Sequence, residues 1–419
     1  MFRAITCQTF GRFPLRAVGG WSAGLAIVAT ASIATVVAAS MYVASDLGTL
    51  GGATSFPLDV NDNGVVVGYS DSASGGASHA FRWTRAGGMD DLGTLGGGFS
   101  VATAVNRAGV VVGASTNASG DQHGFVWTDK TGIVDLGTLP GGFTTSYATG
   151  ISDKNLIIGF SSKTVNLETM TRGFALSRGQ GIVDIGTFGG DTYPNAVSSK
   201  GVVVGTAYTF GNAASRPFAW TRNGGLIDLG SFGGQFGEAL AVNDNGMIVG
   251  YSYTAGDISY PRPFAWTEAT GMIDLGVLGS GNGGYAVALN NKNVVVGYTA
   301  TVGNEVLRAF KWTAAGGIVD LGVLGGNDSY ATAINDDGLI VGNNYTADGL
   351  GLQGFVWNAQ AGMIALSGPT YSQLGKITGT GRVVGFGYDQ SGAGHATMWT
   401  SVSISTQSAP QGGKGVRAQ

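Results

Sequence analysis

A cassette of about 45 residues recurs along this chain and limits its fold more than any other feature. The Asp-Leu-Gly element, or its Asp-Ile-Gly variant, begins at Asp46, Asp91, Asp135, Asp184, Asp228, Asp274 and Asp320, at spacings of 45, 44, 49, 44, 46 and 46. A degenerate copy, ALSG, starts at Ala365. Aromatic segments keep the same beat: FRWT, FVWT, FALS, FAWT, FAWT, FKWT, FVWN and finally TMWT at 397–400. Units that cannot bury an apolar face alone must stack on their neighbours, so one repeated domain can fill the whole length.

Each cassette reads as short antiparallel strands. In FRWT, Phe81 and Trp83 are two residues apart and share one face of a strand. The run Val65-Val66-Val67 is β-branched throughout, which suits a strand buried on both faces. Four-residue turns precede such runs: NDNG at 61–64, NRAG at 106–109, NDNG at 243–246 and NDDG at 335–338. The fourth turn position is Gly64, Gly109, Asn155, Gly201, Gly246, Asn293, Gly338 and Gly381, and only Gly and Asn readily accept positive φ there. A second hairpin runs from FRWT through Ala86-Gly87 into Met89-Asp90-Asp91.

Four strands in about 45 residues are the content of one propeller blade. Helical repeats need a 3.6-residue periodicity that is missing, and closure into a ring removes exposed sheet edges. The fold class is therefore all-β, a β-propeller of antiparallel four-stranded blades. The chain enters with VASDLGTL at 43–50 and ends its last cassette at TMWT with no following Asp-Leu-Gly. An amino-terminal strand that completes the last blade gives eight blades, with seven as the alternative count. Residues 40–400 form this single domain of eight repeats, and 401–419 form a disordered polar tail.

The segments HAFRWT, GGMDDLGTLGG and NDNGVVVGYS, repeated between 46 and 400, resemble the HAF repeat of bacterial extracellular proteins, some of which are autotransporter passengers. The resemblance implies secretion or surface display and brings no established activity. After Thr400 comes only STQSAPQGGKGVRAQ and its short lead-in, with no β-barrel translocator, which departs from the autotransporter pattern.

Arg3, Arg12 and Arg16 precede an uncharged apolar stretch from Ala17 to Ala44 with small residues at Ala38 and Ala39, the layout of an export signal over 1–39. The same stretch is long enough for a retained membrane anchor. The expected location is extracellular or periplasmic, with the membrane touched only through this segment. Cys7, the single cysteine, precedes the apolar stretch and lies within 1–39, so a mature chain cleaved there has no thiol for disulfide or metal-thiolate chemistry. A formal net charge of −4 and the lack of a Lys/Arg run argue against nucleic acid.

The position two before the motif phenylalanine carries the candidate chemistry: His79, His123, Arg172, Arg216, Arg262, Arg308, Gln353 and His395. In a closed ring these make an arc suited to carboxylates, sulfates or phosphates, with pH sensitivity from the histidines. A structural role competes with this. His79, His123, Arg172, Arg216, Arg262 and Arg308 each precede the next Asp-Leu-Gly acid by twelve residues. Gln353 stands where that acid becomes Ala365, and Asp46 can serve His395 if the ring closes. Paired loss of base and acid is what ion pairs produce, so this role is preferred, with Asp46, Asp91, Asp135, Asp184, Asp228, Asp274 and Asp320 as structural acids. Hairpin counting opposes it, because it sets Asp91 opposite Arg82.

No catalytic residue, metal site or cofactor is assigned. DVNDNG at 59–64 starts like a calcium loop, but Ser70 stands where the bidentate Glu belongs, so a turn is the better reading. Glu168, Glu238, Glu268 and Glu305 are isolated carboxylates from which a glycosidase pair would have to come. Three functions stay open: a non-enzymatic binding scaffold for a protein or glycan partner at the cell envelope, which is preferred; a propeller enzyme acting on acidic saccharides; and an adhesive or structural envelope protein. A monomer is expected.

Overall fold

The computed structural model describes residues 41–402 apart from 74–76, 178, 257–258, 302–305, 370 and 389–391. The export signal expected over 1–39, and the tail from 403 onward, lie outside the described residues. Eight four-stranded antiparallel sheets make up the described chain. In blade 1 the spatial order is Gly51–Val60, Val66–Ser72, Ser78–Thr84, Gly88–Asp91, the same as the chain order. Blades 2 to 7 repeat it, with innermost strands starting at Gly96, Thr145, Gly189, Gly233, Gly284 and Ser329.

Blade 8 takes its outer strand from the other end of the chain. Ser372–Ile377, Val383–Tyr388 and Gly394–Val402 are completed by Met41–Asp46, which pairs antiparallel with Gly394–Val402 from Met41↔Val402 to Asp46↔Thr397. The pairing reaches two residues beyond the boundary at 400, so Ser401 and Val402 belong to a strand and not to the tail. Innermost strands touch from blade to blade, and that of blade 8 touches that of blade 1. The sheets therefore form a closed ring, an eight-bladed β-propeller.

The HAF wording follows from how the blades meet. Phe81 and Trp83 on one face of blade 1 pack with Val384, Ala396 and Met398 of blade 8. Ala80 and Val67 on the other face pack with Ala102, Val111 and Phe125 of blade 2. Each interface thus sets a large side against a small one. Phe81, Phe125, Phe174, Phe218, Phe264, Phe310 and Phe355 are all fully buried, each worth roughly 2–3 kcal/mol of transfer free energy. The residue before each Phe is Ala, Gly or Pro because the next blade presses against it. Blade 8 swaps the pattern, with Thr397 in the Phe slot and a fully buried Trp399 two residues on.

Two glycine columns are dictated by geometry. The fourth turn residues all take positive φ, between 60° at Asn293 and 84° at Gly201. The glycine ending each Val-Val run sits beneath a bulged inner strand: a Cβ on Gly205 would lie 2.1 Å from the Tyr193 carbonyl oxygen, and one on Gly68 would lie 1.9 Å from that of Phe56.

The Asn turns also tie blade to blade. Asn61 Oδ1 accepts the N–H groups of Asn63 and Val65 within its own turn, while Asn61 Nδ2 donates to the Asn106 carbonyl of blade 2. Asn243, Asn290 and Asn335 repeat the outward bond. At the seam between blades 8 and 1 the Gly379 N–H donates to Asp62 Oδ1 at 2.7 Å.

Candidate functional site

The sequence points first to the arc of bases beside the Asp-Leu-Gly turns. His79, His123 and His395 each place Nδ1 2.8 Å from Oδ2 of Asp91, Asp135 and Asp46. Arg262 Nε lies 2.9 Å from Asp274 Oδ2. Arg216 Nε is 4.0 Å from Asp228 Oδ2, and its Nη1 donates to the Gly234 carbonyl of the next blade. The twelve-residue spacing therefore brings base and acid together in four cassettes, and ring closure does so for His395 and Asp46. In two it does not: no ion pair joins Arg172 to Asp184 or Arg308 to Asp320, and Arg308 Nε is buried without a hydrogen-bond partner. Gln353 pairs with Asn344 across the sheet in blade 7, where no acid stands.

The register that hairpin counting predicts is off by one residue. Thr84 pairs with Gly88, so the connection holds three residues and Gly88 takes φ of 74°. Asp90 then faces Arg82, and Asp91 faces Phe81. Residues two apart share a face, so His79 becomes the diagonal neighbour of Asp91 and no bent strand is needed.

Each acid has a second task. Oδ1 of Asp46, Asp91, Asp135, Asp184, Asp228, Asp274 and Asp320 accepts the N–H of the Gly two residues on, at 2.7–2.8 Å. That glycine has positive φ, from 71° at Gly137 to 93° at Gly186. The intervening Leu or Ile donates its N–H to the preceding blade strand, as Leu92 does to the Ala80 carbonyl, and buries its side chain against the next blade. The Asp-Leu-Gly element is thus a side-chain-closed turn that locks two blades together. Arg82 of the FRWT segment is also engaged, with Asp90 at 3.2 Å, Asp129 at 2.5 Å and the Trp127 ring 4.8 Å away.

A different column lines the inner strands. Its members are Phe56, Val101, Tyr147, Tyr193, Glu238, Tyr285, Tyr330 and Gln373, paired in register with Tyr69, Ala114, Phe160, Thr206, Tyr251, Tyr298, Asn343 and Phe386 on the second strands. Rings meet across blade boundaries. Phe386 stacks on Phe56 at 4.4 Å, Phe160 meets Tyr193 at 5.5 Å, Tyr251 meets Tyr285 at 4.9 Å and Tyr298 meets Tyr330 at 5.1 Å. Most of these rings are half-buried, so they line a surface and do not fill a core.

Glu238 is the carboxylate of that column. The Tyr251 hydroxyl donates to its Oε2 at 2.8 Å, and Asn195 Nδ2, from blade 4, donates to its Oε1 at 2.8 Å. Burial raises the pKa of the buried phenols, and Glu238 raises those of Tyr208, Tyr251 and Tyr285 further; Tyr147 and Tyr285 are pushed up to about 12. Glu168 opens a strand beside a blade 3 loop tip and Glu268 sits in an exposed hairpin turn of blade 5, so neither joins Glu238. Glu305 lies outside the described residues.

Asp59, which opens the DVNDNG segment, is turned toward blade 2. Its Oδ2 accepts the Val105 N–H of blade 2, and desolvation holds its carboxyl above the usual range against the opposing pull of Lys376. Among the described residues no group of His, Cys, Asp and Glu is arranged to hold a metal ion.

The inner column does not stand out in the sequence, because its residues vary from cassette to cassette. Its signal was present as FP, VA, YA, YP, EA, YA, YA and QL in successive cassettes.

No protein-family model matches the chain, and neither does any curated protein sequence. Among solved structures it is similar to the β-propeller domain of the trilobed protease from Pyrococcus furiosus, at 10% identity and a TM-score of 0.45 over 70% of this chain and 91% of that one. It is similar to a Mycobacterium tuberculosis puromycin-hydrolyzing peptidase at 12% identity and a TM-score of 0.48, covering 82% of this chain and 60% of the peptidase. A gluconolactonase from Xanthomonas campestris matches at 9% identity and a TM-score of 0.33, covering 85% and 91% of the two chains.

Proposed function

We propose that this protein is an exported, non-enzymatic recognition scaffold of the cell envelope, and that it recognises its partner through the inner aromatic column. The observation that carries this is the division of labour between the two columns. Five bases of the outer arc are held by acids that also close the blade-joining turns. The inner column is largely half-buried and mostly aromatic, and it varies, with Tyr in four blades and Phe, Val, Glu and Gln in the other four. Repetition marks framework, and variation on a rigid ring marks recognition. Export is supported by the leader-like segment over 1–39 and by the likeness of the cassettes to HAF repeats.

A second reading has one observation in its favour. Arg172 and Arg308 lack the acid pairing of their counterparts, and an acidic saccharide could use them.

A ligand screen of saccharides, peptides and small ions on the purified protein tests both readings. Binding that Tyr285→Ala abolishes and Arg172→Ala/Arg308→Ala leaves intact supports the inner surface. The opposite pattern overturns it. Turnover of a bound saccharide would replace the scaffold with an enzyme. For export, fractionation of cells that carry the chain with and without 1–39 should move it from the envelope or medium to the cytoplasm.

A further inference from the structure

The inner column is not uniform around the ring, and its ring geometry divides it. Between blades 8 and 1 the rings are piled face to face: Phe386 on Phe56 at 6° and Phe56 on Tyr69 at 21°. Those faces are covered by one another. Across blades 4 to 6 most ring pairs meet edge to face, with Tyr285 and Tyr298, tilted at 33°, as the exception. Tyr193 and Tyr208 meet at 83°, Tyr251 and Tyr253 at 80°, and Tyr251 and Tyr285 at 67°. In an edge-to-face pair the edge-on ring keeps both of its faces uncovered by its partner. Glu238 stands among them, fixed at both oxygens by Tyr251 and Asn195.

Two further features mark this sector. In four blade junctions a second-strand ring meets the next inner-strand ring; the slot holds Ala114 before Tyr147, Asn343 before Gln373 and, before Glu238, Thr206. Thr206 is 6% exposed and its Oγ1 has no hydrogen-bond partner. The charged side chains that act on these phenols are carboxylates: Asp191 on Tyr193, Asp191 and Glu238 on Tyr208, and Glu238 on Tyr251 and Tyr285. Aromatic faces are negative by their quadrupole, so rings and carboxylates add to a field of one sign.

We propose that the perpendicular tyrosine cluster of blades 4 to 6, Tyr193, Tyr208, Tyr251, Tyr253 and Tyr285 around Glu238, binds an organic ammonium group. This deepens the reading of the inner column as the recognition surface and rests on it. The ring faces take the cation's methyl or methylene groups by cation–π attraction, which acts within about 6 Å of a ring centroid. Glu238 supplies the counter-charge, and the Tyr251 and Asn195 bonds hold it in place before the ligand arrives. A small free amine and a lysine side chain on a polypeptide share this chemistry.

Calorimetric titration of the full-length protein tests it with choline, its uncharged isostere 3,3-dimethylbutan-1-ol, and Nα-acetyl-lysine methylamide. Choline or the lysine amide should bind at least about tenfold more tightly than the alcohol. Whichever of the two binds better identifies a quaternary or a primary ammonium source. Glu238→Gln, which keeps the shape and can accept from Asn195 through its oxygen while its N–H donates to the Tyr251 hydroxyl oxygen, should lower cation affinity about tenfold and leave the alcohol unchanged, with an unaltered thermal transition as the folding control. Neither cation binding more tightly than the alcohol, no binding of either cation at millimolar concentration, or indifference to Glu238→Gln overturns the proposal. If the cations fail while some other ligand is lost in Tyr285→Ala, the inner surface still stands as the recognition site. If every ligand ignores Tyr285→Ala, both readings fall.

Discussion

Arg262 and Asp274 offer a quantitative test of the outer arc as framework. Their side chains are 24% and 39% exposed and Nε lies 2.9 Å from Oδ2, so solvent screens the pair in part. A charge-assisted hydrogen bond in that setting contributes about 1 kcal/mol. Asp274 also accepts the Gly276 N–H at 2.8 Å, where the backbone sits at φ of 82°. Losing that second bond adds about 1 kcal/mol. Arg262→Ala should therefore cost about 1 kcal/mol, Asp274→Ala about 2 kcal/mol, and the double variant about 2 kcal/mol and not 3. The coupling of about 1 kcal/mol is read from urea unfolding of the four proteins in one buffer. Arg172 and Asp184 supply the internal control, since no ion pair joins them and their cycle should close without coupling. Additive costs in the Arg262 cycle, or equal coupling in both cycles, would refute the assignment of the arc to framework.

Two further predictions follow from the packing. Gly205→Ala should destabilise the protein by about 3 kcal/mol or more, because the added Cβ meets the Tyr193 carbonyl oxygen at 2.1 Å and the Phe218 ring at 3.0 Å. Gly98→Ala, which meets nothing within 4 Å, should stay within about 0.5 kcal/mol, and denaturant melting separates the two. Tyr147 and Tyr285 should ionise near pH 12 in an ultraviolet titration of the folded protein, against about 10 for a free phenol. Their folded pKa is the higher one, so the stability they contribute is complete below about pH 10 and is lost as pH rises toward 12. A single ionisation of all tyrosines near pH 10, with the fold intact by circular dichroism, would contradict their burial.

What the sequence discloses and what it hides divide along physical lines. Blade content, turn positions and ring closure depend on local chemistry repeated eight times, so the Gly64 column and the missing Asp-Leu-Gly after Thr400 suffice to read them. The register of the second hairpin hangs on one residue. Gly88 adopts positive φ and lengthens the connection from two residues to three, which a count of strand residues cannot reveal. Equal spacing also hides unequal contacts: Arg262 reaches its acid, whereas Arg308, in the same slot, does not. The tyrosine sector lies furthest from view. It requires knowing that the second strand of one blade meets the first strand of the next, which sequence proximity does not encode. Tyr251 and Tyr285 are 34 residues apart and their ring centroids 4.9 Å.

Blade order, the His395–Asp46 pair and the run of the inner column all follow from closure of the ring through its first strand. Val43 lies directly opposite Thr400, at a separation that antiparallel pairing keeps within disulfide range. Val43→Cys/Thr400→Cys in a Cys7→Ser background should oxidise to an intramolecular disulfide in monomeric protein. The bond should quicken migration on a non-reducing gel and raise the thermal transition, reversibly on reduction, as closure of so long a loop contributes about 5 kcal/mol. Two free thiols under oxidising conditions, or crosslinking only between molecules, would contradict closure of the propeller by Met41–Asp46.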